Sequence, residues 1–151
     1  MPQNQRMIFM QVELAGVRLE IPDGWKDITG SLQPSSPTTL AHPNGVGALQ
    51  LSIAKYEGGT SPEVRLTDLR DLLIRFCRQH SLVTKETSLL EGSQTPCVGC
   101  VSITSEEIIA VWFLSDGRDL ILATYTSLSP GDPATMKEID EATQMVKSLG
   151  F

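Results

Sequence analysis

Residues 107–127 read EIIAVWFLSDGRDLILATYTS, two strongly apolar runs separated by Ser115-Asp116-Gly117-Arg118. An Asp-Gly pair between two such runs is a clear short-range signal of a β-hairpin, because glycine supplies the positive φ that a tight turn needs. Both runs also place apolar side chains at consecutive positions, as in Ile108 and Ile109. Strands of this kind are covered on both faces. The stretch therefore predicts the centre of a sheet that carries a helix on each face.

Further strands are predicted on the N-terminal side of this hairpin. Apolar residues alternate with polar ones over Val12 to Leu14 and over Val17 to Ile21, around Ala15-Gly16, which predicts a second hairpin. Trp25 and Ile28 lie on a short extended piece, and residues 31–37 are a predicted loop. The other predicted strands are Thr38–Ala41, Ala48–Tyr56, Lys85–Leu90 and Cys97–Thr104. Connections between consecutive strands are too short for parallel crossovers, so we expect a mainly antiparallel sheet.

Two segments have the apolar spacing of amphipathic helices. The first is predicted to be capped by Thr60 or Ser61, with Pro62 in its first turn, and to continue to about Cys77. The second begins at Asp132 and Pro133. Its apolar stripe consists of Ile139, Ala142, Val146 and Leu149, and Lys137 and Glu141 are predicted to face solvent.

The order of these elements decides the fold class. Several strands, a helix, three or four strands and a closing helix exclude the regular alternation of doubly wound folds. We expect one α+β domain over residues 1–151, a mainly antiparallel sheet flanked by two main helices as an α/β/α sandwich.

Composition narrows the function classes. The chain has 151 residues, 18 acidic and 12 basic, with a formal net charge of -6. This balance weighs against nucleic acid as a partner, and the first helix's arginines lack interleaved aromatics. Residues 1–11 lack the pattern of a secretory signal, and no apolar run approaches the roughly 20 residues of a spanning helix. We expect a cytoplasmic protein that does not insert into membranes.

Cys97-Val98-Gly99-Cys100 is the motif that most invites a redox or metal function. A redox pair of this type needs its first thiol at a helix N-terminus, whereas these residues open a predicted strand. A structural zinc site needs four ligands, and the remaining candidates, Cys77, His42 and His80, are scattered. We therefore expect reduced, buried cysteines and no metal.

The sequence gives little evidence for other kinds of catalytic site. His42 precedes a proline in a turn, and His80 lies near the end of the first helix, where it can cap the last carbonyls. Glu138, Asp140 and Glu141 are predicted to lie mostly on a solvated helix face. We predict no catalytic residues and no cofactor. The alternative is a small-ligand-binding protein or enzyme that uses a cleft between sheet and helix, with Cys97, Cys100 or His42 as its polar groups.

A partner surface is the remaining candidate for a functional site. Apolar residues on the predicted strands need cover, either from the chain's own helices or from another protein. The predicted partner-binding residues are Leu49, Leu51, Ile53, Trp112 and Tyr125. The alternative for each of these residues is that the chain's own helices bury the side chain, so that it does not contact a partner.

The chain resembles the PsbP/Mog-like superfamily through Ile21-Pro22, Trp25, residues 117–120 (Gly-Arg-Asp-Leu) and the order of its elements. Bacterial DcrB-type members and Eag-type chaperones of type VI secretion effectors look closest. The resemblance implies an antiparallel sheet between helices that serves mostly to bind proteins. It implies, for Eag-type relatives, a groove of the sheet that holds apolar effector segments, and for others a photosystem or Ran-GTPase partner.

These observations lead to one functional hypothesis. We expect a non-enzymatic protein-binding module that accompanies a bacterial secretion or toxin system, with an effector or a toxin as its partner. An effector adaptor or chaperone would expose an apolar groove, whereas an immunity protein would present an acidic or mixed patch whose binding weakens in salt. A homodimer is a further arrangement open to the chain.

Overall fold

The structure, a computed structural model, describes residues 9–60, 62–82, 88–90 and 92–151. Its strands are β1 (Phe9–Leu14), β2 (Val17–Pro22), β3 (Lys26–Asp27), β4 (Thr38–Ala41), β5 (Gly47–Ala54), β6 (Ser88–Leu89), β7 (Cys97–Ile103), β8 (Ile108–Ser115) and β9 (Leu120–Ser127). Its helices are α1 (Leu66–Gln79) and α2 (Pro133–Ser148), and a short 3-10 turn covers Thr29–Ser31. Within the described ranges, neither helix is long and apolar enough to cross a membrane.

Seven of the strands form one antiparallel sheet in the order β3-β4-β5-β9-β8-β7-β6. It consists of two meanders, β3 to β5 and β6 to β9, which join where β5 pairs with β9. Helix α1 lies in the connection between the two meanders. Strands β1 and β2 form a separate antiparallel hairpin. The predicted mainly antiparallel sheet is confirmed.

Both faces of the sheet are covered, which the consecutive apolar residues of β8 and β9 require. Trp112 contributes to a core under α2 and the β1–β2 hairpin, whereas its neighbour Phe113 contributes to a second core under α1. The predicted sandwich of a sheet between two helices is confirmed. The β1–β2 hairpin adds to the predicted sandwich, because the hairpin and α2 together cover one face of the sheet.

Helix α1 begins later than the sequence predicts. Its first residue is Leu66, so a cap at Thr60 with Pro62 in the first turn is wrong, and Ser61 lies outside the described residues. Glu63 has a φ of +47°, which a helix cannot continue through, and the Val64 amide donates to the carbonyl of Gly117 at 2.9 Å. The actual first turn is closed by Asp68, whose Oδ2 accepts from the Arg65 amide.

Helix α2 begins where the sequence predicts. The Asp132 side chain accepts from the Ala134 amide at 2.9 Å, and Pro133 occupies the first turn. Of the predicted strand Lys85–Leu90, residues 85–87 lie outside the described residues, and Ser88–Leu89 forms β6.

Two carboxylates of α2 are buried, contrary to the prediction that they lie on a solvated face. Glu138 accepts from the amides of Val46 and Gly47, at 2.9 and 3.0 Å, and from the Tyr125 hydroxyl at 3.0 Å. Glu141, predicted to face solvent, accepts from Trp25 Nε1 at 3.0 Å. Each buried carboxylate thus accepts at least one hydrogen bond in place of those it loses from water.

The Tyr125 hydroxyl remains a donor in this arrangement. Burial, and then the hydrogen bond to Glu138 and the negative charge of that residue, raise the pKa of Tyr125. Glu138 therefore ties α2 both to β9 and to the turn between β4 and β5.

Replacing Glu138 with leucine should lower the free energy of unfolding by about 3 kcal/mol, because two amides and a buried hydroxyl lose their acceptor. Urea denaturation followed by circular dichroism measures this loss. Asp140→Leu is the matched control, since it removes the same charge from an exposed position of α2 and should change stability by less than about 0.5 kcal/mol. Equal losses in the two variants would contradict the role given to Glu138.

Candidate functional site

An apolar groove opens between the β1–β2 hairpin and the edge strand β3. We call it the hairpin groove; its volume is about 460 Å³, within the usual range of binding pockets. Its apolar lining consists of Met10, Val12, Leu14, Ile21, Pro22 and Trp25. Asp23, Gly24, Lys26 and Asp27 complete the rim.

The groove exists because β1, the outer strand of the hairpin, extends beyond the layer that the hairpin and α2 form on the sheet. Strand pairing places Met10 beside Ile21, Val12 beside Leu19 and Leu14 beside Val17, and paired residues point to the same face. The members on β2 are buried in the core under α2. Their partners on β1 are only partly covered, and Met10 is 67% exposed.

Trp25 gives the groove a fixed wall. Its side chain is 5% exposed, its amide donates to the Pro22 carbonyl at 3.2 Å, and its Nε1 donates to Glu141. The preceding Gly24 has a φ of +92°, and a Cβ there would collide with the His42 ring. A side chain at position 24 would therefore strain the backbone next to Trp25 and displace the His42 ring.

Two strand edges and a mostly acidic rim border the groove. In the described part of the chain, β1 pairs with β2 alone, and β3 is a terminal strand of the seven-stranded sheet. Unpaired strand edges offer backbone donors and acceptors to an added strand. The exposed rim side chains are Asp23, Lys26 and Asp27, two acids and one base. The Asp27 carboxylate also accepts from the amide and hydroxyl of Thr29.

The structure places the predicted partner-binding residues mainly in the interior. Leu49, Leu51, Trp112 and Tyr125 are at most 5% exposed and belong to the core under α2 and the hairpin. Ile53 is half-buried at the margin of that core. The first four are therefore covered by the chain itself, and a partner reaches them only if that cover moves. Their part in partner binding remains a prediction.

The three cysteines are buried thiols, as expected. Cys97 and Cys100 lie on opposite faces of β7, because positions three apart on a strand point to opposite sides. Cys100 instead meets Cys77 of α1, with their sulfur atoms 3.3 Å apart. Burial raises the pKa of Cys97 to about 12, and burial together with Cys77 raises that of Cys100.

The two histidines serve local structure in separate places. His42 Nδ1 accepts from the Asn44 amide at 3.4 Å within the turn after β4. The His80 ring packs on Phe76 with 4.2 Å between ring centroids, and its amide donates to the Phe76 carbonyl at the end of α1. Among the residues that the structure describes, no three His, Cys, Asp or Glu side chains come together in a group that could hold a metal ion.

No known protein family and no curated protein matches the sequence. Solved structures do match the fold. Cyanobacterial PsbP (CyanoP) from Synechocystis has a TM-score of 0.63 at 11% identity, with 99% of this chain and 96% of that one covered. The Ran-binding protein Mog1p from Saccharomyces cerevisiae has a TM-score of 0.58 at 10% identity, with 96% of each chain covered.

A third structure, from Bacteroides thetaiotaomicron, has a TM-score of 0.61 at 14% identity and matches 94% of this chain but 47% of that one. The chain thus spans about half the length of that protein. These neighbours support the PsbP/Mog-like α+β fold that the resemblance implies.

The hairpin groove is not among the sites that the sequence predicts. Two signals were present: the alternation of Val12 and Leu14, and a tryptophan directly after the Pro-Asp-Gly turn. The groove also depends on the position of the hairpin beside α2, and no local sequence pattern specifies that position.

Met10→Asp should reduce the fluorescence of bound Nile red, an uncharged dye that reports apolar surface, because it places a carboxylate in the groove. Gln11→Asp is the matched control, since the same charge enters β1 on the opposite face. Both variants should keep the wild-type unfolding midpoint because both residues are exposed. Equal dye signals from the two variants would show that the dye does not bind in the groove.

Proposed function

We propose that the chain is a non-enzymatic protein-binding module whose partner places an apolar segment in the hairpin groove. The observation that carries this proposal is the partly covered inner face of β1 next to the buried Trp25. Exposed apolar surface in a concave setting is typical of a protein that binds an apolar ligand or partner.

The backbone around the groove supports a peptide as the occupant. In the described part of the chain, one edge of β1 has no partner strand. A segment in extended conformation can pair with that edge and direct alternate side chains towards Met10, Val12 and Leu14. The rim carries Asp23 and Asp27 against Lys26 alone, and the chain as a whole carries a net charge of -6. A partner with basic residues beside its apolar segment fits this charge.

Of the accessory roles in bacterial secretion or toxin systems, an effector adaptor or chaperone fits the groove better than an immunity protein. An adaptor of this kind shields apolar segments, and the groove is lined largely by apolar side chains. An immunity protein would rely on charged contacts, for which the rim offers three side chains. We further propose that the chain is related to DcrB-type and Eag-type proteins and that it is located in the cytoplasm.

The fold neighbours are compatible with this class of function. Mog1p is a Ran-binding protein, so at least one neighbour with this fold binds a protein partner.

One other occupant is favoured by a specific observation. A volume of about 460 Å³ with apolar walls also suits a small apolar molecule. The second candidate function is therefore a small-ligand-binding protein that uses the same groove.

Tagged wild-type protein purified from its native host should retain a partner protein at both low and high salt, because apolar contacts are not screened. Met10→Asp should lose at least nine-tenths of that partner, and Gln11→Asp should retain it. Mass spectrometry of the purified material measures how much partner the wild type and each of the two variants retain.

Other results separate the alternatives. A partner lost in high salt but retained by Met10→Asp would point to a charged surface and would overturn the groove. A small molecule released on denaturation, without a partner protein, would establish the ligand-binding alternative instead.

A further inference from the structure

We propose that Cys77 and Cys100 form a site of reversible covalent modification, an intramolecular disulfide that ties α1 to β7. Their Sγ atoms lie 3.3 Å apart, and both side chains are buried between the helix and the sheet. A disulfide needs a sulfur–sulfur distance of about 2.05 Å, so the two sulfurs must approach by little more than 1 Å. The sequence motif pointed to a different pair, Cys97 with Cys100.

The surroundings restrict which pair reacts. Cys77 and Cys100 share the core under α1 with Leu73, Val98 and Phe113. Cys97 lies in the other core, on the opposite face of β7, and its Sγ is directed to the Val98 carbonyl at 3.7 Å. The sheet itself therefore separates Cys97 from the other two thiols.

The chemistry requires an oxidant, and a low-molecular-weight disulfide such as oxidised glutathione is sufficient. One cysteine loses its proton to solvent and attacks a sulfur of the oxidant, which expels one glutathione thiolate and leaves a mixed disulfide. The second cysteine, after losing its proton, attacks the protein sulfur of that mixed disulfide and expels the second glutathione. In total, two protein thiols are oxidised and one small disulfide is reduced to two thiols.

Burial makes this reaction dependent on motion. The side chains are 7% and 6% exposed, so an oxidant reaches them only when α1 opens from β7. Once formed, the bond joins residues 23 positions apart and restricts the unfolded chain. Oxidation should therefore raise the melting temperature by several degrees.

The test incubates wild-type protein with oxidised glutathione at a temperature just below its unfolding midpoint, where α1 opens most often. Alkylation under denaturing conditions and intact mass then count the free thiols. The reduced wild type has three, and the oxidised wild type should have one, Cys97. Peptide mapping should show Cys77 joined to Cys100.

Cys97→Ser is the matched control and should pass from two free thiols to none with the same rise in melting temperature. Cys77→Ser and Cys100→Ser should form no intramolecular disulfide and show no such rise. The wild type and Cys97→Ser suffice if these two variants do not fold. Three thiols after incubation, a disulfide that includes Cys97, or stable glutathione adducts at Cys77 and Cys100 would overturn the proposal.

Discussion

The structure depends on how one face of a seven-stranded sheet is kept from water. A single helix, α2, packs on that face, and the β1–β2 hairpin lies beside it to complete the layer. Arg18 and Gly150 exchange backbone hydrogen bonds of 2.9 and 2.8 Å, and the Glu20 amide donates to the Ser148 hydroxyl at 2.8 Å. These bonds fix β2 along the end of α2. Because β1 lies on the outer side of β2, its apolar face extends past the layer and forms one wall of the groove.

Buried carboxylates hold the same layer in place. Glu141 bonds Trp25 at the groove, and Glu138 bonds the turn between β4 and β5 together with Tyr125 on the sheet. A buried carboxylate without donors would be costly, so these contacts restrict how α2 can sit on the sheet. The position of Trp25, and with it the shape of the groove, follows from that restriction.

Local patterns predicted much of the fold and little of the candidate site. The Asp-Gly hairpin and the Asp132 cap depend on neighbouring residues, and both are visible in the sequence. Glu138 and Glu141 look solvent-facing because most of their donors are distant in sequence: Val46 lies 92 positions from Glu138, and Trp25 lies 116 positions from Glu141. The two-residue period of a strand predicts that Cys97 and Cys100 lie on opposite faces. The contact of Cys100 with Cys77 could not be predicted in this way, because it depends on how α1 packs on the sheet. The groove likewise needed the position of the hairpin.

Site-specific photocrosslinking tests directly whether the inner face of β1 contacts a partner protein. A photoreactive benzoyl-phenylalanine replaces Met10 in one version of the protein and Ile103 of β7 in another; both positions are exposed and apolar, at 67% and 60%. Irradiation in the native host should join a partner to position 10 and not to position 103. Crosslinks from position 103 alone, or equally from both positions, would contradict partner binding at the inner face of β1.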